Sequence, residues 1–252
     1  MFASLPMYDR PDSRAAHDAL WDLIRDGLRN RGVAAPDHLD RTENYAIGWG
    51  RADLVLGQIC NLPYRAKHAA NTTLIGTADY GLPDCPAGHY NSVMVVHKSA
   101  ADRPFSDYKT CRFAANALGS HSGYGAPQAW AKGHGFLLPS PILTGSHDRS
   151  LALVADGQAD ITAIDAQTWV LQQRDMEQVN DVRVIAVTAT SPGMTFITRA
   201  GQNPAPYRAA IHDAIANQTP ENAQTLGLCG VVALPAGDYD LPMPPLPQSL
   251  DR

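Results

Sequence analysis

Cys111-Arg112-Phe113-Ala114-Ala115-Asn116-Ala117-Leu118-Gly119-Ser120-His121-Ser122-Gly123-Tyr124, running on to Lys132, is the stretch on which the fold turns. Cys111 to Ala115 reads as an apolar strand, and Ser122 to Lys132 as a helix that starts after a Gly/Ser turn. A strand that passes through a short polar turn into a helix is the repeating unit of α/β folds. The same alternation extends in both directions. Upstream, Phe2–Met7, Leu54–Ile59, Thr73–Thr77 and Ser92–His97 read as strands. A helix opens at Pro11-Asp12-Ser13, carries Ala16, Leu20, Leu23, Ile24 and Leu28 at helical spacing, and stops at Gly32. Pro63–Ala70 is a helical turn and Phe105–Lys109 a short helix.

Downstream, Ile142-Leu143 ends a strand, His147–Ala155 is a helix closed by Asp156-Gly157, Ile161–Ile164 is a strand and Ala166–Gln173 a helix. Val182–Val187 and Met194–Thr198 are strands; Pro206–Asn217 and Pro220–Leu226 are helices. The proline-rich tail Leu241–Pro247 cannot be helix or central strand and is expected to lie extended on the surface. The fold class is therefore α/β, with parallel sheets covered by helices on both faces. No internal repeat or flexible linker interrupts the pattern. Two lobes require ordered crossings, best placed at Val93–His97 and Val187–Met194. That divides the chain into residues 1–97 plus 189–252 as one discontinuous lobe and 98–188 as an inserted second lobe.

Composition narrows the function. The 252 residues are 44% hydrophobic and 18% charged, which is a globular composition and not a disordered one. Twenty Lys and Arg against 25 Asp and Glu give a net charge of −5, and no basic cluster is present, which excludes nucleic acid as partner. No apolar run reaches the length of a transmembrane helix. The N-terminus lacks a basic region followed by an apolar core, so no signal peptide is expected. Cys60, Cys85, Cys111 and Cys229 form no Cys-x-x-Cys pair. Cys60 and Cys85 lie in loop-like sequence and are the first to pair in an oxidising compartment; the alternative is four reduced thiols.

Catalytic and cofactor signatures are missing. Gly119-Ser120-His121-Ser122-Gly123 is not a nucleophile elbow, and there is no phosphate-binding Gly-x-x-x-x-Gly-Lys loop, no Gly-x-Gly-x-x-Gly and no His-Glu-x-x-His. No cofactor and no metal is called for. Ser120 and Ser122 instead bring hydroxyls and backbone N–H groups to a helix start, whose dipole favours an anion without any basic residue. The competing reading is plain N-capping by either serine. His147 follows a polar turn at a strand end, where open α/β sheets bind ligands, and either donates to an anion or faces solvent. Asp165 ends another apolar strand and either accepts from a ligand or caps the helix from Ala166. Tyr8, Tyr64, Tyr80, Tyr90 and Tyr124 are aromatic candidates for the walls of a ligand cleft.

In order along the chain, Ala3–Tyr8, Gly57-Gln58-Ile59-Cys60 with Pro63, Tyr90-Asn91-Ser92, Ser120–Tyr124, Gly145-Ser146-His147-Asp148 and Gly157-Gln158-Ala159-Asp160 with Ile164-Asp165 resemble the PhnD-like phosphate/phosphite/phosphonate-binding proteins of bacterial ABC importers. The resemblance covers roughly residues 2–240. It implies a type II periplasmic-binding-protein fold, two lobes on two crossing strands that close like a hinge on a small oxyanion. It also implies that Ser120, His121 and Ser122 hold the oxyanion, that Tyr90 stands at the crossing, that His147 faces the anion and that Asp165 can receive a ligand amine. Tyr8 and Tyr64 match more loosely as cleft walls. Where such proteins often carry Thr or Ser, this chain has His121, whose imidazole either adds charge for a dianion or takes space a tetrahedral phosphonate needs. The implied partner is an ABC permease if the chain is exported. Two further readings stay open: a cytoplasmic enzyme on the same scaffold, with His147 or His121 as acid/base and Asp165 as its partner, and a cytoplasmic ligand sensor.

Overall fold

The computed structural model describes residues 1–42, 44–100 and 102–247. In chain order the elements are β1 (Phe2–Ser4), α1 (Arg14–Asn30), α2 (Tyr45–Gly48), β2 (Leu54–Ile59), α3 (Asn61–Pro63), β3 (Thr72–Asp79), β4 (His89–Tyr90), β5 (Ser92–His97), β6 (Phe113–Ala115), α4 (Ala126–Gly133), β7 (Ile142–Leu143), α5 (His147–Ala155), β8 (Ile161–Asp165), α6 (Ala166–Asp175), β9 (Val182–Val187), β10 (Ser191–Pro192), β11 (Thr195–Arg199), α7 (Pro204–Ala216), α8 (Pro220–Leu226) and β12 (Gly230–Val232). A π-type turn, Tyr64–His68, follows α3, and a second, His121–Gly125, leads directly into α4.

The chain divides into two compact units. Unit 1 is Met1–His89 with Pro192–Leu241; unit 2 is Tyr90–Ser191, rejoined by the tail from Pro242. The changeovers fall inside β4 and β10, so β5, the strand from Ser92 that the sequence offered as a crossing, lies entirely in unit 2. The proline-rich tail belongs with unit 2 and not with the N-terminal residues.

Each unit, among the described residues, is built on a five-stranded sheet, ordered β1-β2-β11-β3-β12 in unit 1 and β7-β6-β8-β5-β9 in unit 2. The sheets are mixed, which corrects the expectation of all-parallel ones. β1 and β2 pair parallel, as do β6 with β7 and β8. β11 is antiparallel to β2 and β3, and β5 is antiparallel to β8 and β9. β12 is antiparallel to β3 as well, and β11 and β5 are the strands by which the chain enters unit 1 and unit 2. A strand that arrives without a covering crossover helix is not bound to the parallel direction of its neighbours.

In unit 2 the strand periodicity sorts the core into two faces. Met94, Val96, Phe113, Ala115, Ile161 and Ala163 pack with Trp130 and Ala131 of α4. Val93, Val95, Ala114 and Ile164 pack with Leu151 and Val154 of α5. A sheet covered on both faces explains why Val93-Met94-Val95-Val96 is an unbroken apolar run. In unit 1, α1 buries Ala16, Leu20, Ile24 and Leu28 as its spacing foretold, with His17 and Trp21 beside them, while Leu23, expected in the same stripe, is exposed. α1 packs closely on α7: a Cβ on Gly27 would stand 3.2 Å from Ala210 Cβ.

The expected first strand is cut short. β1 ends at Ser4, and Tyr8 lies in a turn with φ +66°, a rare conformation for a bulky residue. Cys85, Cys111 and Cys229 are free thiols, so the Cys60–Cys85 pair is not made. Burial pushes the Cys111 thiol up to about 12, which makes it an inert core group.

Candidate functional site

Sequence-local forces assemble the main cluster, all of it in unit 2. β6 ends at Ala115, and the chain turns at Asn116–Gly119 into the π-type turn that opens α4. Ser120 is the N-cap: its Oγ accepts from the Gly123 N–H at 3.0 Å. Its carbonyl receives the N–H groups of Tyr124 and Gly125 at 3.2 and 3.1 Å. The Ser120 and Ser122 hydroxyls lie 3.2 Å apart. Ser122 Oγ in turn lies 3.1 Å from Nε2 of His147, the first residue of α5. His147 Nε2 is also 3.4 Å from Asp165 Oδ2, at the end of β8. Three strand-to-helix junctions, after β6, β7 and β8, thus converge in one line of polar groups at a sheet edge of the kind where open α/β sheets bind ligands.

Of the two readings the sequence left open for Asp165, the structure shows the helix cap. Asp165 caps α6, accepting from Thr168 N–H at 2.9 Å and from Thr168 Oγ1 at 2.5 Å, and it pairs with His147. His147 does not face solvent; only 11% of its side chain is exposed. Ser122 and Asp165 meet the same ring nitrogen. A serine nucleophile relay needs the hydroxyl and the carboxylate on opposite nitrogens, so this is not a catalytic triad.

Burial governs the histidines. His17 of α1 and His147 are both held below the usual imidazole range, in each case first by burial, which disfavours the charged ring. Asp9 opposes this at His17, and Asp165 and Asp148 oppose it at His147. Below the free-histidine pKa of about 6.5 the unfolded chain therefore binds protons that the folded chain resists. The stability these rings contribute is complete above that pH and is lost as pH falls through their lowered folded values. The melting temperature is expected to hold near neutral pH and to fall as the pH drops below about 6.5. His17→Gln should make that fall shallower. A melting temperature indifferent to acid over this range would contradict buried neutral rings.

The remaining sequence candidates part company. His121 and Tyr90 come together, with ring centroids 6.2 Å apart and both side chains buried. Tyr124 does not join the cluster: its ring stacks on Phe113 in the core, and its hydroxyl donates to the Pro245 carbonyl at 2.8 Å, pinning the extended tail. Tyr64 is likewise a core residue, packed on Tyr239 among Phe2, Trp49 and Ile59 of unit 1. Both rings lie in the core of their own unit. Tyr8 does line a small unit 1 cavity, with Tyr80, Gln58, His17 and Phe196, and packs edge-on to Tyr80 at 5.1 Å. Gln58 donates to the Tyr80 hydroxyl at 3.1 Å.

Two residues of the cluster escaped the sequence reading. A Cβ on Gly123 would fall onto Asn116 Oδ1, 3.0 Å from its Cγ and 3.2 Å from His147 Cε1. Asn116 Oδ1 is itself buried without a hydrogen-bond partner. The only signal for either was their place in the stretch between β6 and α4. Among the described residues no cluster of three His, Cys, Asp or Glu is placed to hold a metal.

A family model for the phosphonate periplasmic substrate-binding protein of ABC transporters matches residues 2–238. The chain belongs to this family. Its members serve transport as binding proteins and are not enzymes, and the family is normally periplasmic. Among the described residues no helix is long and apolar enough to cross a membrane. No curated protein matches the sequence.

Solved structures share the fold at low identity. PhnD1 of Prochlorococcus marinus, in complex with methylphosphonate, is 18% identical with a TM-score of 0.69, over 90% of each chain. A Xanthomonas citri protein bound to chloride ion is 14% identical with a TM-score of 0.67, over 91% of this chain and 90% of that one. The binding-protein component of a phosphonate ABC transporter of Pseudomonas aeruginosa is 14% identical with a TM-score of 0.66, over 95% of this chain and 82% of that one. The α/β fold is that of the two-lobed periplasmic binding proteins.

Proposed function

We propose that this chain captures a phosphonate or a closely related small phosphorus oxyanion at the α4 start of unit 2 and presents it, outside the inner membrane, to the permease of an ABC importer. The observation that carries this reading is the continuous line Ser120 Oγ, Ser122 Oγ, His147 Nε2 at a helix N-terminus. Hydroxyl donors, a ring nitrogen and a helix dipole bind a tetrahedral oxyanion with moderate strength and let it go again. That suits delivery better than an Arg clamp, whose bidentate bonds hold more tightly. Tyr90 and His121, with ring centroids 6.2 Å apart, are the aromatic groups this reading assigns to the wall of the site. The match of the chain's family to phosphonate importers, and the methylphosphonate held by PhnD1, make methylphosphonate the first ligand to try.

The test is a thermal-shift panel on the purified protein with methylphosphonate, phosphite, aminoalkylphosphonates, phosphate, sulfate and small carboxylates. Binding to the native state alone raises the melting temperature by mass action. A shift with a phosphorus oxyanion, confirmed by calorimetry and with the ligand recovered unchanged, supports the reading. A response confined to carboxylates, or consumption of the ligand, overturns it.

A further inference from the structure

We propose that anion capture at this site is coupled to the uptake of one proton, held on His147 between the bound oxyanion and Asp165. The inference rests on reading the α4 start as the anion site.

His147 Nε2 has one bonding position and two neighbours: the Ser122 hydroxyl at 3.1 Å and the Asp165 carboxylate at 3.4 Å. A carboxylate only accepts, so the ring satisfies it only with a proton on Nε2. A hydroxyl can give its hydrogen to an unprotonated Nε2, and then the carboxylate faces a lone pair. With Nε2 protonated the ring serves Asp165 and the Ser122 hydroxyl turns to Ser120 Oγ at 3.2 Å; without that proton the ring leaves the carboxylate unserved. An oxyanion adds a third acceptor to the same spot.

The surrounding charges set the direction. The groups packed around the ring are Ser122 from the π-type turn, the Ala163 carbonyl and Asp165 from β8, and Asp148 from α5 itself. Asp165, Asp148 and the Ala163 carbonyl each favour the charged ring, and among the described residues no Lys or Arg acts on it. Asp148 is fixed by a 2.9 Å bond from Gln172 Nε2, and Asp165 by its two bonds from Thr168. Burial is the one influence that disfavours the charged ring. A further negative charge at hydrogen-bond distance tips that balance, because opposite charge within about 4–6 Å favours the imidazolium. The proton comes from the buffer and joins a ring nitrogen lone pair; no bond in the ligand breaks. The imidazolium then gives an anion site without Lys or Arg its one formal positive charge.

The experiment is calorimetric titration of the intact protein with methylphosphonate in buffers of different ionisation enthalpy at neutral pH. The dependence of the observed heat on buffer gives the net protons taken up. The expected value is close to one proton per ligand, with affinity falling as pH rises, and His147→Gln binding more weakly with no uptake. Binding with no net uptake overturns the proposal. So does equal uptake in His147→Gln, which puts the proton on the ligand. If that variant binds too weakly for calorimetry, the 15N spectrum of the saturated wild-type imidazole decides: two protonated ring nitrogens support the proposal and one overturns it. Failure of every phosphorus oxyanion to bind overturns the site reading as well, so the presence of a binding heat separates the two failures.

Discussion

Replacing Ser120 and Ser122 together by alanine lowers affinity for the oxyanion by about 2–4 kcal/mol, or roughly 30- to 1,000-fold in Kd. Each hydroxyl is expected to give one charge-assisted bond to the anion from a largely buried position, since Ser120 is 8% and Ser122 2% exposed. The two contributions can be told apart from simple capping. Ser120 Oγ also holds the Gly123 N–H, so Ser120→Ala carries a cap loss of about 1 kcal/mol and a fall in melting temperature of about 2–4 °C. Ser122 caps nothing; its hydroxyl meets Ser120 Oγ and His147 Nε2. Ser122→Ala should therefore weaken binding while leaving the melting temperature nearly untouched. Calorimetry and a melting curve on the two single variants and the double variant check all three. Affinity unchanged in the double variant would remove the α4 start from the binding site.

What the sequence made legible is what short-range physics decides. The run Val93–Val96 announced a strand, and the polar turn after Ala115 announced a helix start. Both depend on residues a few positions apart. The direction of β5 and β11 depends instead on how the chain enters each unit, and no local pattern carries that information. The same limit applies to the aromatic candidates. Tyr90 and Tyr124 look alike as entries in a sequence, yet one stands beside His121 and the other is anchored to Pro245, 121 positions away. His147 and Asp165 were each legible as strand-end polar residues; their pairing across 18 positions was not, because it requires β7 and β8 to flank β6 in the sheet. Asn116 and Gly123 went unnoticed for a different reason. Their relation is a close approach of the Asn116 side chain to the Gly123 backbone, and the missing side chain at Gly123 gives a sequence nothing to read.

That close approach yields the second large effect. Gly123 lies in the helical turn without a left-handed φ, and at an ordinary helical position Gly→Ala is stabilising by about 1 kcal/mol. Here the sign reverses. The added methyl falls on Asn116 Oδ1, and His147 Cε1 closes the other side at 3.2 Å, so neither retreat is free. Overpacking of this kind costs about 1–3 kcal/mol. Moving the turn to relieve it carries away the Gly123 N–H that orients Ser120 Oγ, and with it the line to Ser122 and His147. Gly123→Ala is thus expected to lower the melting temperature by several degrees and to weaken oxyanion binding at least tenfold, about 1.4 kcal/mol. The steric origin is checked by the Asn116→Ala/Gly123→Ala pair. Asn116 Oδ1 has no hydrogen-bond partner to lose, so its removal clears the space at little cost. The double variant should regain most of the melting temperature, giving a coupling energy of the sign that contacting residues show. A Gly123→Ala protein that melts higher than wild type and binds as well would mean that the turn accommodates a side chain and that Asn116 does not set its position.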